Sequence, residues 1–304
     1  MSRLAVLGPG GVGGFLAAVL TRAGQDVVVV GRDATARVIA SDGITVTSAR
    51  LGGFIARPQA VCALRSSVDV LLVATKANAL ASALERIETD PGLVVPLLNG
   101  LDHMDRLRHR FGPGAVAAGV IRIESDRPAP GHIVQTSPSF RVDLAADDPA
   151  LAGALQRLAS TLQNADVPTR IGSSEKQILW SKLVRLTALA CTTSAADRRI
   201  GFVRADPQWR SALELCVAET AAVANADGAQ IDPAQPLGEL DEAHAELGSS
   251  MQRDLAAGRE PELDAIAGAV LRAAARHGLR CPTVERLSIQ IAARAGVPAP
   301  PAGS

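Results

Sequence analysis

The segment GPGGVG places glycines at three positions, Gly8, Gly10 and Gly13, in the spacing G-x-G-x-x-G. The spacing alone is a weak signal, but here it follows the apolar run RLAVLG (3–8), a predicted buried strand, and opens a predicted helix over 11–24. In a strand–turn–helix unit, the first glycine permits the turn, the second lets the backbone approach a pyrophosphate, and the third allows close packing. The start of the helix offers N–H groups to the anion. We therefore predict a dinucleotide-binding loop formed by Gly8, Gly10, Gly11, Val12 and Gly13. The alternative is a plain strand-to-helix turn that binds no ligand.

Strands and helices alternate over the first hundred residues. The apolar runs 26–32, 68–76 and 92–100 predict further buried strands, and NALASALERI (78–87) predicts a helix. This alternation is typical of an α/β domain with a parallel sheet and right-handed crossovers, which here means a Rossmann-type dinucleotide-binding domain. Between 115 and 145, short apolar runs separated by turn residues predict antiparallel strands appended to that sheet.

The second half of the chain has helical periodicity after a last predicted strand near residue 170. The sequence therefore predicts two domains, a dinucleotide-binding Rossmann domain over 1–170 and an all-helical substrate and catalytic domain over 171–304. The predicted helices of the second domain are 174–196, 206–227, 235–257, 262–277 and 283–295.

Composition excludes several functional classes. The chain has 304 residues, 47% of them hydrophobic, and a net charge of zero, which argues against nucleic acid or an anionic membrane as the main partner. No apolar run is long enough for a membrane span, and the N-terminus is not typical of a secretory signal, so we expect a cytoplasmic protein. The four cysteines are scattered and the five histidines show no ligand spacing. We therefore expect buried, reduced thiols and no metal.

The end of the second strand indicates which dinucleotide binds. A carboxylate at this position would accept the ribose 2′-OH of NAD, but here the chain has Gly31 followed by Arg32. A guanidinium favours the 2′-phosphate of NADP through a charge-assisted contact. Asp33 follows directly and could reach the ribose instead. The sequence favours NADP, and Asp33 is the main objection.

Two further polar residues follow predicted strands. Lys76 ends VDVLLVATK, and Asn99 ends GLVVPLLN. Because open α/β sheets bind ligands beyond the carboxyl ends of their strands, we expect both side chains to converge on one crevice. The alternative is a solvated loop lysine and an asparagine that serves a turn.

Lys182 is unusual in this chain. Of 31 Lys and Arg residues only three are lysine, so arginine accounts for 28. On a helix, its neighbours one turn away include the apolar residues Ile178, Leu179 and Leu186. We therefore predict that the amine is partly desolvated and that its pKa is lowered. The positive charge of Arg185 would lower that pKa further. Such an amine can donate a proton in a transition state, whereas arginine cannot. The alternative is a lysine at the edge of the core with its charge in water.

The segment SSMQRDLAAGREPELDAIAG (249–268) supplies hydroxyls and a carboxylate. Glu262 enters an apolar helix, and a carboxylate there needs a partner, for which Lys182 is the obvious candidate. The alternatives are a helix N-cap for Ser249 or Ser250 and a dipole contact at a helix start for Glu262.

Taken in order, these segments resemble the ketopantoate reductase (2-dehydropantoate 2-reductase) family over nearly the whole chain. The matching motifs are GPGGVGG, ATKAN, NG at 99–100, WSKL, SSMQRD and ELD. The resemblance implies NADPH-dependent reduction of a 2-oxo acid, foremost 2-dehydropantoate to pantoate in pantothenate biosynthesis, by a protein that could assemble as a homodimer. It implies these roles: proton donor for Lys182, cofactor contact for Lys76, cofactor and substrate contact for Asn99, and substrate binding for Ser250 and Glu262.

One part of the family pattern is changed. Where the family has asparagines that hold the substrate, four and eight residues after the catalytic lysine, this chain has Leu186 and Ala190. Substrate recognition is therefore expected to differ, with Arg185 or Thr187 as candidates to replace some polar contacts. Two other functions remain open. One is another hydride-transferring enzyme, similar to 3-hydroxyacid dehydrogenases or imine reductases, and the other is a non-catalytic NADP-binding regulatory protein.

Overall fold

The computed structural model describes residues 3–301. The chain forms two compact units. The first runs to Leu98 and resumes over His103–Ile178, whereas the second contains Asn99–Asp102 and the chain from Leu179 onward. The boundary expected at residue 170 stays a prediction, because compactness alone does not define which part folds independently.

The strands of residues 3–301 all lie in the first unit. They are β1 (Arg3–Leu7), β2 (Asp26–Val30), β3 (Ile44–Ser48), β4 (Gly52–Ala56), β5 (Gln59–Val61), β6 (Val70–Val73), β7 (Leu93–Pro96), β8 (Ala118–Arg122), β9 (Ser125–Ala129), β10 (His132–Gln135), β11 (Arg141–Ala145) and β12 (Thr169–Ile171). The helices of this unit are α1 (Gly11–Arg22), α2 (Asp33–Asp42), α3 (Leu80–Leu84), α4 (His103–Phe111) and α5 (Ala152–Asn164).

Helix α6 (Glu175–Ala196) begins in the first unit and continues into the second. The second unit adds α7 (Ile200–Ala205), α8 (Pro207–Ala226), α9 (Ala234–Asp241), α10 (Ser250–Ala256), a π-helical turn (Asp264–Gly268), α11 (Ala269–Arg276) and α12 (Pro282–Ala295). The predicted α/β fold with a helical C-terminal part is therefore confirmed.

The central sheet has the order β5-β2-β1-β6-β7, and every neighbouring pair is parallel. Strands β1, β2, β6 and β7 of this sheet are valine- and leucine-rich and almost entirely buried, as expected for strands covered on both faces. Strands β2, β1 and β6 are neighbours, so their carboxyl ends lie side by side at one end of the sheet. The glycine loop, Arg32 and Lys76 all follow these carboxyl ends.

The strands between 115 and 145 differ in part from the prediction. Strands β8 and β11 pair antiparallel, and one bridge from Val94 to Val116 joins this small sheet to the central one. Strands β9 and β10 instead form a separate sheet with β3 and β4, in which β10 runs parallel to β3. A buried hydrogen bond of 2.6 Å from Ser48 Oγ to Gln135 Oε1 fixes that pairing. The prediction that they extend the central sheet was wrong because this partner is distant in sequence.

Two predicted helices end earlier than their periodicity indicates. The predicted helix 235–257 is broken between α9 and α10, because Arg204 Nη1 donates to the carbonyl oxygens of Leu240 (3.0 Å) and Ala243 (2.8 Å) and Ser249 begins a new helix. The predicted helix 78–87 ends at Leu84.

Each unit has its own apolar core. In the first, Phe15 of α1 packs edge-on against Phe140 with 5.0 Å between ring centroids. In the second, Trp180 of α6 is fully buried, and its Nε1 donates to Asp227 Oδ2 at 2.8 Å. Contrary to the expectation of four buried thiols, Cys62 is exposed. Across residues 3–301, no helix combines the length and apolar character needed to span a membrane.

Candidate functional site

The glycine loop has the backbone geometry that its spacing predicts. Gly8 has a φ of +89°, a left-handed conformation that favours glycine, and it accepts from Gly10 N at 2.8 Å. A Cβ on Gly13 would overlap the carbonyl oxygen of Gly8, so only glycine lets α1 pack this closely on the end of β1. Gly11 is equally confined: a Cβ there would lie 2.5 Å from Ser125 O, and Ser125 Oγ donates to Gly11 O.

The loop is open at one position. A Cβ on Gly10 would have no heavy atom within 4 Å, so the backbone is accessible there. The first turn of α1, which includes Val12, carries N–H groups without acceptors inside the helix. Beside Gly8, the buried hydroxyl of Thr75 has no hydrogen-bond partner among the residues that the structure describes. Open backbone, helix N–H groups and an unsatisfied hydroxyl fit the pyrophosphate of a dinucleotide.

Arg32 and Asp33, which follow β2, differ in their charged partners. Arg32 is exposed and makes no ion pair with any residue in the described range 3–301. Asp33, which opens α2, has its Oδ1 3.7 Å from Arg86 Nη1. The same Arg86 nitrogen donates to Cys62 O at 3.0 Å. The carboxylate that competes with Arg32 therefore has a cationic partner of its own.

Lys76 lies three residues beyond β6, beside the strand that carries the glycine loop. It is exposed, its backbone is extended (φ −68°, ψ 152°), and its carbonyl accepts from Ala79 N at the start of a short 3₁₀ turn, Ala77–Ala79. The turn places the lysine beyond the carboxyl end of the sheet. Its convergence with Asn99 on one crevice stays a prediction, because Asn99 belongs to the second unit.

In the second unit, two predicted site residues are in direct contact. Asn99 Nδ2 donates to Glu262 Oε2 at 3.0 Å, across 163 positions of sequence. The chain at Gly100 has a φ of +87°, and a Cβ there would overlap the carbonyl oxygen of Ala265, so glycine is required for this approach. Glu262 also precedes the π-helical turn, with its carbonyl accepting from Ile266 N at 3.1 Å. A carboxylate and an amide are thereby held together.

A second contact fixes the same short segment. Arg272 of α11 donates to Asp102 Oδ2 and to Asp264 Oδ1, both at 2.6 Å. The segment Asn99–Asp102 is therefore bound at both of its ends to 262–272. No sequence motif points to Arg272 or Asp102, because nothing in the residues next to them distinguishes them from ordinary surface charges.

Lys182 lies on α6 and is half-buried. One turn before it, Ile178 and Leu179 are buried, and Leu189 is buried two turns after it. Arg185 Nε lies 3.3 Å from Glu239 Oε2, so the neighbouring positive charge has an acidic partner. The apolar neighbours Ile178, Leu179 and Leu189 are therefore buried, whereas the desolvation of the Lys182 amine and its pairing with Glu262 stay predictions.

The two serines at the start of α10 have different roles. Ser249 is the N-cap, and its Oγ accepts from Gln252 N at 3.0 Å. Its own proton goes to Thr193 Oγ1 at 3.1 Å, because Thr193 donates to Leu189 O at 2.6 Å. The capping alternative therefore holds for Ser249. Ser250 follows in the first turn and is half-buried, which leaves it as the candidate for substrate binding.

The positions that replace the asparagines differ in exposure. Leu186 is half-buried and packs against the core of the second unit, one turn after Lys182. Ala190 and Thr187 are fully buried. Thr187 Oγ1 has no hydrogen-bond partner within residues 3–301. Leu186 is therefore the position that can present apolar surface to a ligand beside the amine.

Comparisons with known proteins cover both units. Residues 4–148 match the family model described as Ketopantoate reductase PanE/ApbA, and residues 176–300 match Ketopantoate reductase PanE/ApbA C terminal. The chain is 28% identical over 305 residues to the 2-dehydropantoate 2-reductase of Mycobacterium tuberculosis, covering 97% of this chain and 98% of the relative. It is 26% identical over 287 residues to the uncharacterized oxidoreductase YkpB of Bacillus subtilis, covering 92% and 94%.

Solved structures show the same architecture. The 2-dehydropantoate 2-reductase of Geobacter metallireducens has a TM-score of 0.88 at 27% identity, covering 95% of this chain and 98% of that one. A ternary structure of D-mandelate dehydrogenase with NADH and anilino(oxo)acetate has a TM-score of 0.88 at 20% identity, covering 97% and 98%. At that identity the second likeness shows the fold alone.

Proposed function

The chain belongs to the ketopantoate reductase family, and we propose that it uses NADPH to reduce the carbonyl group of a 2-oxo acid. The observation that carries the proposal is the hydrogen bond between Asn99 and Glu262, in the unit that also holds the half-buried Lys182. Asn99 and Glu262 were both expected at the site from separate motifs, and a direct contact between them supports a common role.

The cofactor side of the proposal is supported by the first unit. The loop Gly8–Gly13 and the first turn of α1 would hold the pyrophosphate, and Arg32 the 2′-phosphate. Lys76 would contact the cofactor beyond the end of β6. The nicotinamide, when bound, supplies a hydride to the substrate carbonyl carbon.

The chain's own groups act on the substrate. The ammonium of Lys182 donates its proton to the carbonyl oxygen as negative charge develops there, which combines acid catalysis with electrostatic stabilisation. Glu262 positions Lys182 or a substrate hydroxyl, and its bond to Asn99 fixes the orientation of that amide. Ser250 helps to bind the substrate carboxylate.

The substrate class follows from one retained and one altered feature. Relatives named 2-dehydropantoate 2-reductase make 2-dehydropantoate the first candidate, with pantoate as the product used in pantothenate biosynthesis. Leu186 instead favours a related 2-oxo acid with an apolar side chain, because a buried substrate hydroxyl next to leucine would lose its hydrogen bond to water.

A matched pair of substrates tests the proposal. 2-Dehydropantoate and 3,3-dimethyl-2-oxobutanoate differ only by one hydroxyl group, and kcat/KM for each is measured with NADPH and with NADH. Turnover of either acid supports the proposal, and their ratio reports the preference at Leu186. NADPH binding without turnover of any 2-oxo acid would favour a regulatory protein, and turnover restricted to 3-hydroxyacids or imines would favour the other hydride-transferring enzymes.

A further inference from the structure

Arg86 contacts two neighbouring segments at the carboxyl ends of the central strands, where the predicted cofactor residues also lie. Its Nη1 donates to Cys62 O at 3.0 Å, just beyond the end of β5, and lies 3.7 Å from Asp33 Oδ1 at the start of α2. Strands β2 and β5 are parallel neighbours, so both contacts are at their carboxyl ends. None of the motifs that predicted the site includes this arginine.

The early end of α3 is what brings Arg86 to this place. Arg86 N bonds to Ala83 O and Ile87 N to Leu84 O, which closes the helix with tight turns. Leu64 then donates to Arg86 O at 2.7 Å and accepts from Glu88 N at 2.9 Å, so Ile87 forms an isolated parallel bridge with Leu64. The backbone on both sides of Arg86 is therefore fixed, and its side chain is two-thirds buried, with 32% exposure.

We propose that Arg86 is a positioning residue that sets the preference for NADP over NAD by binding the carboxylate of Asp33. The inference rests on the proposed use of NADPH. Asp33 follows Arg32 directly, at the place where a carboxylate would accept the ribose 2′-OH of NAD and repel the 2′-phosphate of NADP. Pairing with Arg86 draws that charge away and partly neutralises it, and Arg32 then faces the phosphate without a competing acid.

Affinity measurements test this without any substrate. Kd values for NADPH and NADH are taken from the change in nicotinamide fluorescence on binding. Arg86→Gln removes the charge, and we expect the ratio of NADPH to NADH affinity to fall about three- to fivefold, the size expected for a partly exposed charge pair. Arg86→Lys keeps the charge and should retain most of the preference. The loss should shrink at high salt, because exposed charges are screened.

A double-mutant cycle separates action through Asp33 from direct contact with the phosphate. Asp33→Asn alone should raise the preference for NADPH, and Arg86→Gln added to Asp33→Asn should then leave the ratio unchanged. An equal fall in both backgrounds would overturn the proposal, since Arg86 would then act on the phosphate itself. An unchanged ratio in Arg86→Gln alone would overturn it as well.

Failure of the role proposed for Arg86 can be told apart from failure of the proposed reaction. A wild-type protein that binds NADH as tightly as NADPH overturns both the NADP assignment and the role of Arg86. A protein that prefers NADPH but reduces no 2-oxo acid overturns the proposed reaction and leaves the affinity cycle intact. Thermal unfolding of each variant confirms that the ratios come from folded protein.

Discussion

The role proposed for Lys182 depends on the apolar residues near it on α6. Ile178, Leu179 and Leu189 lie one or two turns from Lys182 on α6 and are buried, and Lys182 itself is half-buried, whereas Lys176 on the same helix is exposed. A desolvated ammonium gains more from a developing alkoxide than one in water, because the local dielectric is lower. The two lysines of α6 therefore form a natural pair of test and control.

Replacement of Lys182 with alanine should lower kcat about 10²- to 10⁴-fold and leave the Kd for NADPH nearly unchanged, because the proposed proton donor is lost and the glycine loop is intact. Lys182→Arg should also be impaired, since a guanidinium keeps the charge but does not give up a proton. Lys176→Ala is the control and should retain activity. Wild-type turnover in Lys182→Ala would refute the assignment.

Leu186 is the residue whose replacement should change the substrate preference. Leu186→Asn places an amide one turn after Lys182, where it can bond the hydroxyl of 2-dehydropantoate. The ratio of kcat/KM for 2-dehydropantoate over 3,3-dimethyl-2-oxobutanoate should rise about three- to tenfold, the value of one net hydrogen bond. Leu186→Met, which stays apolar, should leave the ratio unchanged, and an equal shift in both variants would contradict the explanation.

At the scale of elements, the periodicity of apolar residues predicts those strands and helices that the local sequence determines. The parallel strands and most helices of the second unit were found because alternation and helical spacing are local signals. The break between α9 and α10 was missed because Arg204 caps α9 from 36 positions away at Leu240. The pairing of Asn99 with Glu262 was missed for the same reason, although each residue had been singled out separately.

The turn between β1 and α1 gives a prediction in which two similar changes have opposite effects. Gly13→Ala would overlap Gly8 O and should cost about 1–3 kcal/mol of unfolding free energy. Gly10→Ala has open space and should leave stability within about 0.5 kcal/mol, but its methyl group would stand where the pyrophosphate approaches. Urea unfolding and NADPH titration of both variants check this, and loss of affinity without loss of stability is expected only for Gly10→Ala.

At the scale of the whole molecule, buried thiols connect stability to pH. Cys191, Cys216 and Cys281 lie in the core of the second unit, and burial raises the pKa of Cys191 and of Cys281 to about 12 and raises that of Cys216 as well. Burial disfavours the thiolate in each case. The chain has no tyrosine, so no phenol titrates in the same range.

Stability should therefore fall as the pH rises above about 9. The folded-state pKa of each buried thiol lies above its ordinary value of 9.0. The unfolded chain then loses protons first, and the stabilisation present below pH 9 is lost as the pH approaches 12. Urea midpoints at about pH 8, 9 and 10 measure the decline. A constant midpoint over this range would contradict it, and Cys62→Ser, at the exposed thiol, should leave the decline unchanged.

The segment Asn99–Asp102 has a consequence for how such enzymes can be recombined. It belongs to the second unit although it is encoded within the first, and it carries the bonds to Glu262 and Arg272. A chimaera that joins the front of one relative to the back of another at the middle of α6 would inherit these contacts from two different parents. Exchange of specificity between relatives therefore requires this tetrapeptide to be transplanted together with the C-terminal helices, as a single non-contiguous cassette.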